Sequence, residues 1–142
     1  LQSTKQPDAG VDQPDTYWSS RMNDLLDAIF ALSPDVRYVA LARDGQLTLR
    51  ERAGLAGASA PESDRYEELL VNPTLLTLVG QRGRIDCGGL EYVVIRYGHF
   101  FQMVRPLPGG HISVAVEPHG DPLAVAAAVA RTLPRFLAPA GG

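Results

Sequence analysis

The chain has 142 residues, 45% of them hydrophobic, and a formal charge of -3. That is enough apolar material for one domain that folds without staples. The weak acidity gives no electrostatic footprint for nucleic acid. The longest apolar run falls far short of a membrane span, and the single cysteine, Cys87, excludes an intrachain disulfide.

Residues 1–16 are polar and rich in Gln, Asp and Pro, and read as a flexible leader. A helix is predicted from Tyr17, with Trp18, Met22, Leu25, Leu26, Ile29 and Phe30 on one face. Ser33-Pro34-Asp35 ends it. Val36 to Ala42 reads as a strand, Arg43-Asp44-Gly45 as a tight turn and Gln46 to Arg52 as the returning strand. Ala53 to Ala60 is a small-residue loop. A helix start follows at Pro61-Glu62-Ser63-Asp64. Pro73 suits the first turn of a new helix, so the pattern predicts a kinked helix or two short ones, ending near Gly80. Gln81 to Cys87 reads as a basic linker or the leading end of the third strand.

Three strand-length apolar runs lie between Gly88 and Glu117, divided at Gly98-His99 and at Pro108-Gly109-Gly110. Breaks this short predict an antiparallel meander. Alternation puts Tyr92, Val94 and Arg96 on one face of the first run, with Val93, Ile95 and Tyr97 on the other. Met103 groups with Phe101 and Arg105. Ile112, Val114 and Val116 are uniformly apolar, whereas Ser113, Ala115 and Glu117 are small or polar. Asp121-Pro122 then opens a last helix, as N-cap and first residue, with Val125, Ala126, Val129, Leu133 and Phe136 on one face. Residues 138–142 form a tail, and 17–137 make one domain of order α-β-β-α-β-β-β-α.

The chemistry that this chain lacks is informative. Gly80-Gln81-Arg82-Gly83-Arg84 has neither the spacing nor the terminal Lys-Ser/Thr of a phosphate-binding loop. The histidines have no metal-ligand spacing, and His99 and His111 are expected to be exposed. No cysteine-enzyme signature surrounds Cys87, which reads as a buried or edge-strand thiol. No serine lies in a nucleophile elbow. No enzyme, cofactor or metal is therefore expected. Two surface features stand out. The arginines Arg50, Arg52, Arg82, Arg84 and Arg96 are one; Arg50, Arg96 and Arg105 on a shared open sheet face would suit acidic partners. The other is the stripe Tyr66, Leu69, Leu70, Leu75 and Leu76, which either packs on its own sheet or meets another subunit.

The element order, the Leu-Ser-Pro-Asp-Val helix end leading to Tyr38–Gly45, the Tyr97–Val116 hairpin and the Asp-Pro start of an Ala-rich last helix together resemble the roadblock family. The resemblance spans Trp18 to Leu137. It departs at the loop 53–60 and at Pro73. It implies an α+β domain with a profilin-like or longin-like fold, a five-stranded antiparallel sheet with the first and last helices on one face. It also implies a cytoplasmic homodimer or heterodimer that joins sheets through the third strand. The implied role is a non-enzymatic adaptor or regulator of a small Ras-like GTPase in bacterial polarity, motility or signalling. The expected interface comprises Tyr66, Leu69, Leu70, Leu75 and Leu76 with Tyr92, Val94 and Arg96. Profilin-like sheets also occur in small-molecule sensors, which would need a cavity between the sheet and a helix or loop.

Overall fold

Asp44 and Gly45 take positive φ values of 51° and 83°, the geometry a two-residue hairpin turn requires. They join strand β1 (Val36–Arg43) to β2 (Gln46–Glu51) in register, with Arg43 opposite Gln46. The computed structural model describes residues 9–55 and 59–137, with side chains of the first helix described from Ser20. The other elements are α1 (Ala9–Phe30), α2 (Pro61–Tyr66), a π-helical turn (Glu67–Val71), α3 (Asn72–Asp86), β3 (Val93–Arg96), β4 (Phe101–Leu107), β5 (Gly110–Val116), α4 (Pro122–Thr132) and a 3-10 turn (Leu133–Arg135). The predicted element order holds. The strands form one antiparallel sheet in the order β2-β1-β5-β4-β3, which leaves β2 and β3 at the edges and β5 in the centre.

Alternation along the strands divides the chemistry of the two faces. One face carries Val39, Leu41, Met103, Ile112, Val114 and Val116, buried under Met22, Leu25, Leu26 and Ile29 of α1 and Val125, Ala126 and Val129 of α4. The first and last helices thus share one face, as expected. Asp121 caps α4, its carboxylate accepting from the backbone N–H groups of Leu123 and Ala124 at 3.1 Å each. The other face carries Tyr38, Ala40 and Ala115, with Ser113, His111 and Gln102, and looks toward the helical layer from α2 to α3.

Several boundaries differ from the sequence reading. Helix α1 begins at Ala9, ahead of Tyr17, so it overlaps the expected leader; residues 1–8, the tail at 138–142 and the loop tip at 56–58 lie outside the described residues. Helix α3 does not stop near Gly80 but continues to Asp86, so 81–86 is neither linker nor strand. Gly80, where the end was expected, lies inside the helix, and Gly83 serves packing. A Cβ on Gly83 would lie 3.1 Å from the backbone carbon of Gly89, where the chain folds back against the helix. The stop comes at Gly88 and Gly89, with φ of 81° and 93°, and the Gly83 carbonyl accepts from the N–H groups of Cys87 and Gly89. Pro73 is absorbed by the π-helical turn just before it, whose wider ring pairs the Asn72 N–H with the Glu67 carbonyl. Pro134 brings α4 to a close in the 3-10 turn.

Gly110 faces the tightest approach in the sheet. A Cβ there would lie 1.7 Å from the Ala42 carbonyl oxygen, which belongs to the strand paired with the centre of the fold. Gly110→Ala should cost about 3 kcal/mol or more and lower the melting midpoint by over roughly 10 °C, read by circular dichroism.

Candidate functional site

The π-helical turn sets the chemistry of the second sheet face. It presents two consecutive carboxylates, Glu67 and Glu68, toward the strands. Glu68 is fully buried. Its Oε2 accepts from the Tyr38 hydroxyl at 2.8 Å and the Ser113 hydroxyl at 2.7 Å. Its Oε1 accepts from Asn72 Nδ2 at 3.0 Å and lies 2.8 Å from His111 Nε2. Facing a carboxylate oxygen, that imidazole nitrogen is the N–H-bearing one. Four donors from β1, β5 and α3 thus converge on one carboxyl group. Burial pushes the Tyr38 phenol well above the ordinary tyrosine range, and the adjacent Glu68 pushes it further. Glu67 turns to β3: the Tyr97 hydroxyl donates to its Oε1 at 2.9 Å. Burial, and then Glu67, raise Tyr97 to about 12. Burial also raises the Glu67 carboxyl, against the hydrogen bond from Tyr97 that lowers it.

A second carboxylate holds the far end of the same strands. Glu117 accepts from Arg37 at 3.0 Å on Oε1 and from Arg52 at 2.7 Å on Oε2. Burial pushes its carboxyl up, but the two guanidinium groups outweigh that and hold it below the usual range. Arg52 also donates to the carbonyls of Pro34 and Val36, and Arg37 lies over the Phe100 ring at 5.2 Å. Beside Arg37, Tyr38 and Glu67, α2 stands off the sheet and leaves a cavity of about 560 Å³.

The expected exposure of His111 does not hold. It is 2% exposed, because β5 is the central strand and its polar side lies under the helical layer. It sits opposite Pro106 on β4. His99 is exposed in its turn, as expected. Cys87 is exposed rather than buried or on an edge strand, since the longer α3 carries it just past a helix end. Arg50, Arg96 and Arg105 do project from one face, but that face is the one covered by α1 and α4. Arg50 pairs with Asp27 and Asn23 of α1, and Arg96 lies over the Phe101 ring at 5.0 Å. Arg82 pairs with Asp86 along α3.

Of the stripe on the second helical layer, Tyr66, Leu69 and Leu70 are exposed by 62%, 48% and 56%, while Leu75 and Leu76 are half-buried. Leu78 and Ile85 extend the exposed apolar surface along α3. Tyr92 and Val94 pack at the margin of the main core, and Arg96 is exposed. The strand that carries Val94 and Arg96, β3, has one free edge. Glu68 itself went unrecognised in the sequence. Its signal was a carboxylate inside the stripe of Tyr66, Leu69 and Leu70, four residues before Asn72. Among the described residues, no group of His, Cys, Asp and Glu has a geometry that would hold a metal ion.

No family model and no curated protein sequence matches the chain significantly. Solved structures do. The roadblock/LC7 domain from Streptomyces avermitilis superposes with a TM-score of 0.60 at 17% identity, over 81% of this chain and 96% of that one. The chain has the roadblock fold. The gliding protein MglB from Thermus thermophilus superposes with a TM-score of 0.54 at 14% identity, over 82% and 88% of the two chains. A structure described as MglB with tetrameric arrangement gives 0.52 at 17% identity, over 83% and 91%. The roadblock fold accounts for the sheet order and for the helices on each face.

Two expectations follow. Glu68→Ala leaves four donors facing no acceptor and should cost about 3–5 kcal/mol; Glu68→Gln, which keeps one oxygen and the volume, should cost less, about 1–3 kcal/mol. Urea unfolding midpoints check both the size and the order. Asp64, at the mouth of the cavity, has its carboxyl raised to about 6, first by burial and then by Glu51 and Glu68. The folded chain holds that proton more tightly than the unfolded one, so stability falls as pH rises through the interval up to the folded value. Asp64→Asn should therefore melt about 2 °C above the parent at about pH 7.5, with the gap closing toward about pH 4.5.

Proposed function

We propose that this protein is a non-enzymatic dimeric adaptor or regulator, cytoplasmic and bacterial, whose partner is a small Ras-like GTPase in signalling, polarity or motility. The observations that carry the reading are the free edge of β3 and, separately, an apolar surface left exposed on the second helical layer. Tyr66, Leu69, Leu70, Leu78 and Ile85 are exposed by 62%, 48%, 56%, 63% and 75%. A row of unpaired backbone groups and that much uncovered apolar area are both costly to leave in water, and the strand edge suits an antiparallel copy of itself. Strand pairing through β3 would extend the sheet across two subunits, and the helical layers would meet over it. The likeness to the gliding protein MglB, and to MglB in a tetrameric arrangement, supports both assembly and regulation. The absence of a phosphate-binding loop in the sequence assigns the nucleotide to the partner. Arg96, exposed at the end of β3, is suited to an acidic partner side chain.

Light scattering of the intact chain should give a dimer mass. The pair Leu69→Asp and Leu70→Asp, both at exposed positions, should give a monomer whose melting point stays within about 3 °C of the parent. Val94→Pro should abolish folding and dimer together. A Ras-like GTPase purified from the same genome should bind in one nucleotide state at least about tenfold more tightly than in the other. Arg96→Glu should weaken that binding and spare the fold. A monomeric parent, or binding indifferent to nucleotide and to Arg96→Glu, would sink the reading.

A further inference from the structure

A second cleft, of about 510 Å³, opens between α3 and the ends of the hairpins β1–β2 and β4–β5. His111 forms part of its wall, with a side chain only 3% exposed. Glu68 fixes the tautomer of that ring. Nε2 carries the hydrogen that meets Glu68 Oε1, so Nδ1 of the neutral ring keeps its lone pair. No group among the described residues donates to Nδ1, and the atom is not sealed from solvent. It therefore opens to the cleft that the ring lines. A polar atom held this deep with no partner in the chain is matched by a donor from outside. Arg84 is the second feature. It makes no hydrogen bond or ion pair among the described residues. Its side chain folds back along α3, where Gly80 leaves the room: a Cβ on Gly80 would lie 3.6 Å from Arg84 Nη1. The guanidinium is thereby laid on the wall of the cleft. The charge there is one-sided. Arg43 and Arg84 are on the wall, and Glu68 is its only carboxylate, with both oxygens filled by four donors. Asp44 lies against Gly109 but outside the wall. Arg43 gives its Nε to the Pro108 carbonyl at 3.2 Å. Pro73 and Leu76 of α3 and Pro106 of β4, all half-buried, supply an apolar surface.

We propose that this cleft is a binding site for a compact organic anion with an apolar body and a hydroxyl group, of the type of a hydroxyaryl carboxylate. Arg84 takes the carboxylate, the prolines and Leu76 take the body, and the hydroxyl donates to His111 Nδ1. A guanidinium with no partner in the chain has its full fork of donors free for a carboxylate. A volume of about 510 Å³ suits a molecule of that size. A cation is opposed by both arginines and finds no carboxylate with an unfilled oxygen. The site does not rest on the partner reading, and it shares only Leu69 with the exposed surface named there.

The test is titration of the intact chain by calorimetry with three probes: 3-(4-hydroxyphenyl)propanoate, which has the carboxylate, the ring and the hydroxyl; 3-phenylpropanoate, which lacks the hydroxyl; and tyramine, which keeps the ring and the hydroxyl but carries a positive charge. The hydroxylated acid should bind saturably, one per chain, and raise the melting point. Phenylpropanoate should bind about tenfold more weakly, and tyramine should not compete. Arg84→Gln, at an exposed position, should weaken both acids by at least about tenfold. His111→Gln places an amide N–H against Glu68 but removes the Nδ1 lone pair, and should weaken the hydroxylated acid alone, bringing it level with phenylpropanoate. Each variant is first shown to be folded by its circular dichroism melt; should His111→Gln fail to fold, the Arg84→Gln and tyramine arms decide. The proposal is overturned by an absence of saturable binding of the hydroxylated acid up to millimolar concentration, by equal binding of tyramine, or by a folded Arg84→Gln or His111→Gln variant that binds as the parent does.

Discussion

One buried carboxylate ties the helical layer to the sheet. Glu68 gathers donors from β1, β5 and α3, and the two strands are distant from it in sequence. Taking a carboxyl group out of water is costly unless its hydrogen-bonding capacity is filled. Here each oxygen has two partners, so the cost is offset only when the strands and the helix are in register. An apolar contact at the same place would tolerate sliding, whereas this one does not. That constraint explains why the layer holds one position on a sheet face whose other buried residues, such as Ala40 and Ala115, are small.

The sheet therefore has two different sides. Under α1 and α4 it is a closed apolar core. Under α2 and α3 it is a polar, partly open layer, with the carboxylate cluster at one place and a cavity beside it. Folding stability comes from the first side, because area removed from water is the dominant favourable contribution. The proposed partner contacts fall on the second side and on the β3 edge. The apolar residues left exposed on α2, the π-helical turn and α3 belong to that same half.

Much of the fold was legible. Period-two alternation identified Ile112, Val114 and Val116 as a core face, and helical spacing did the same for Met22, Leu25, Leu26 and Ile29. Asp-Gly marked the first hairpin, and Asp121-Pro122 marked the start of the last helix. The misreadings share a cause. Gly80 looked like the end of a helix and Gly83 like part of a linker, but a glycine is also what lets another backbone pack closely, as the chain returning at Gly89 does against Gly83. His111 looked exposed because it follows two glycines, yet it lies on the central strand.

The sequence by itself determined the order of the elements, the face each apolar residue takes and the turns that join them, since these are set by local sterics and by period. It also excluded a phosphate-binding loop and a metal motif, which have local signatures. The tertiary structure alone decided that β1 and β5 are neighbours, that Tyr38, Glu68, Asn72, His111 and Ser113 meet, and that a cavity opens beside them. The reason is physical. Hydrogen bonds between side chains tens of residues apart leave no periodic trace in the chain, and they come into being only when the strand order brings their donors to one acceptor.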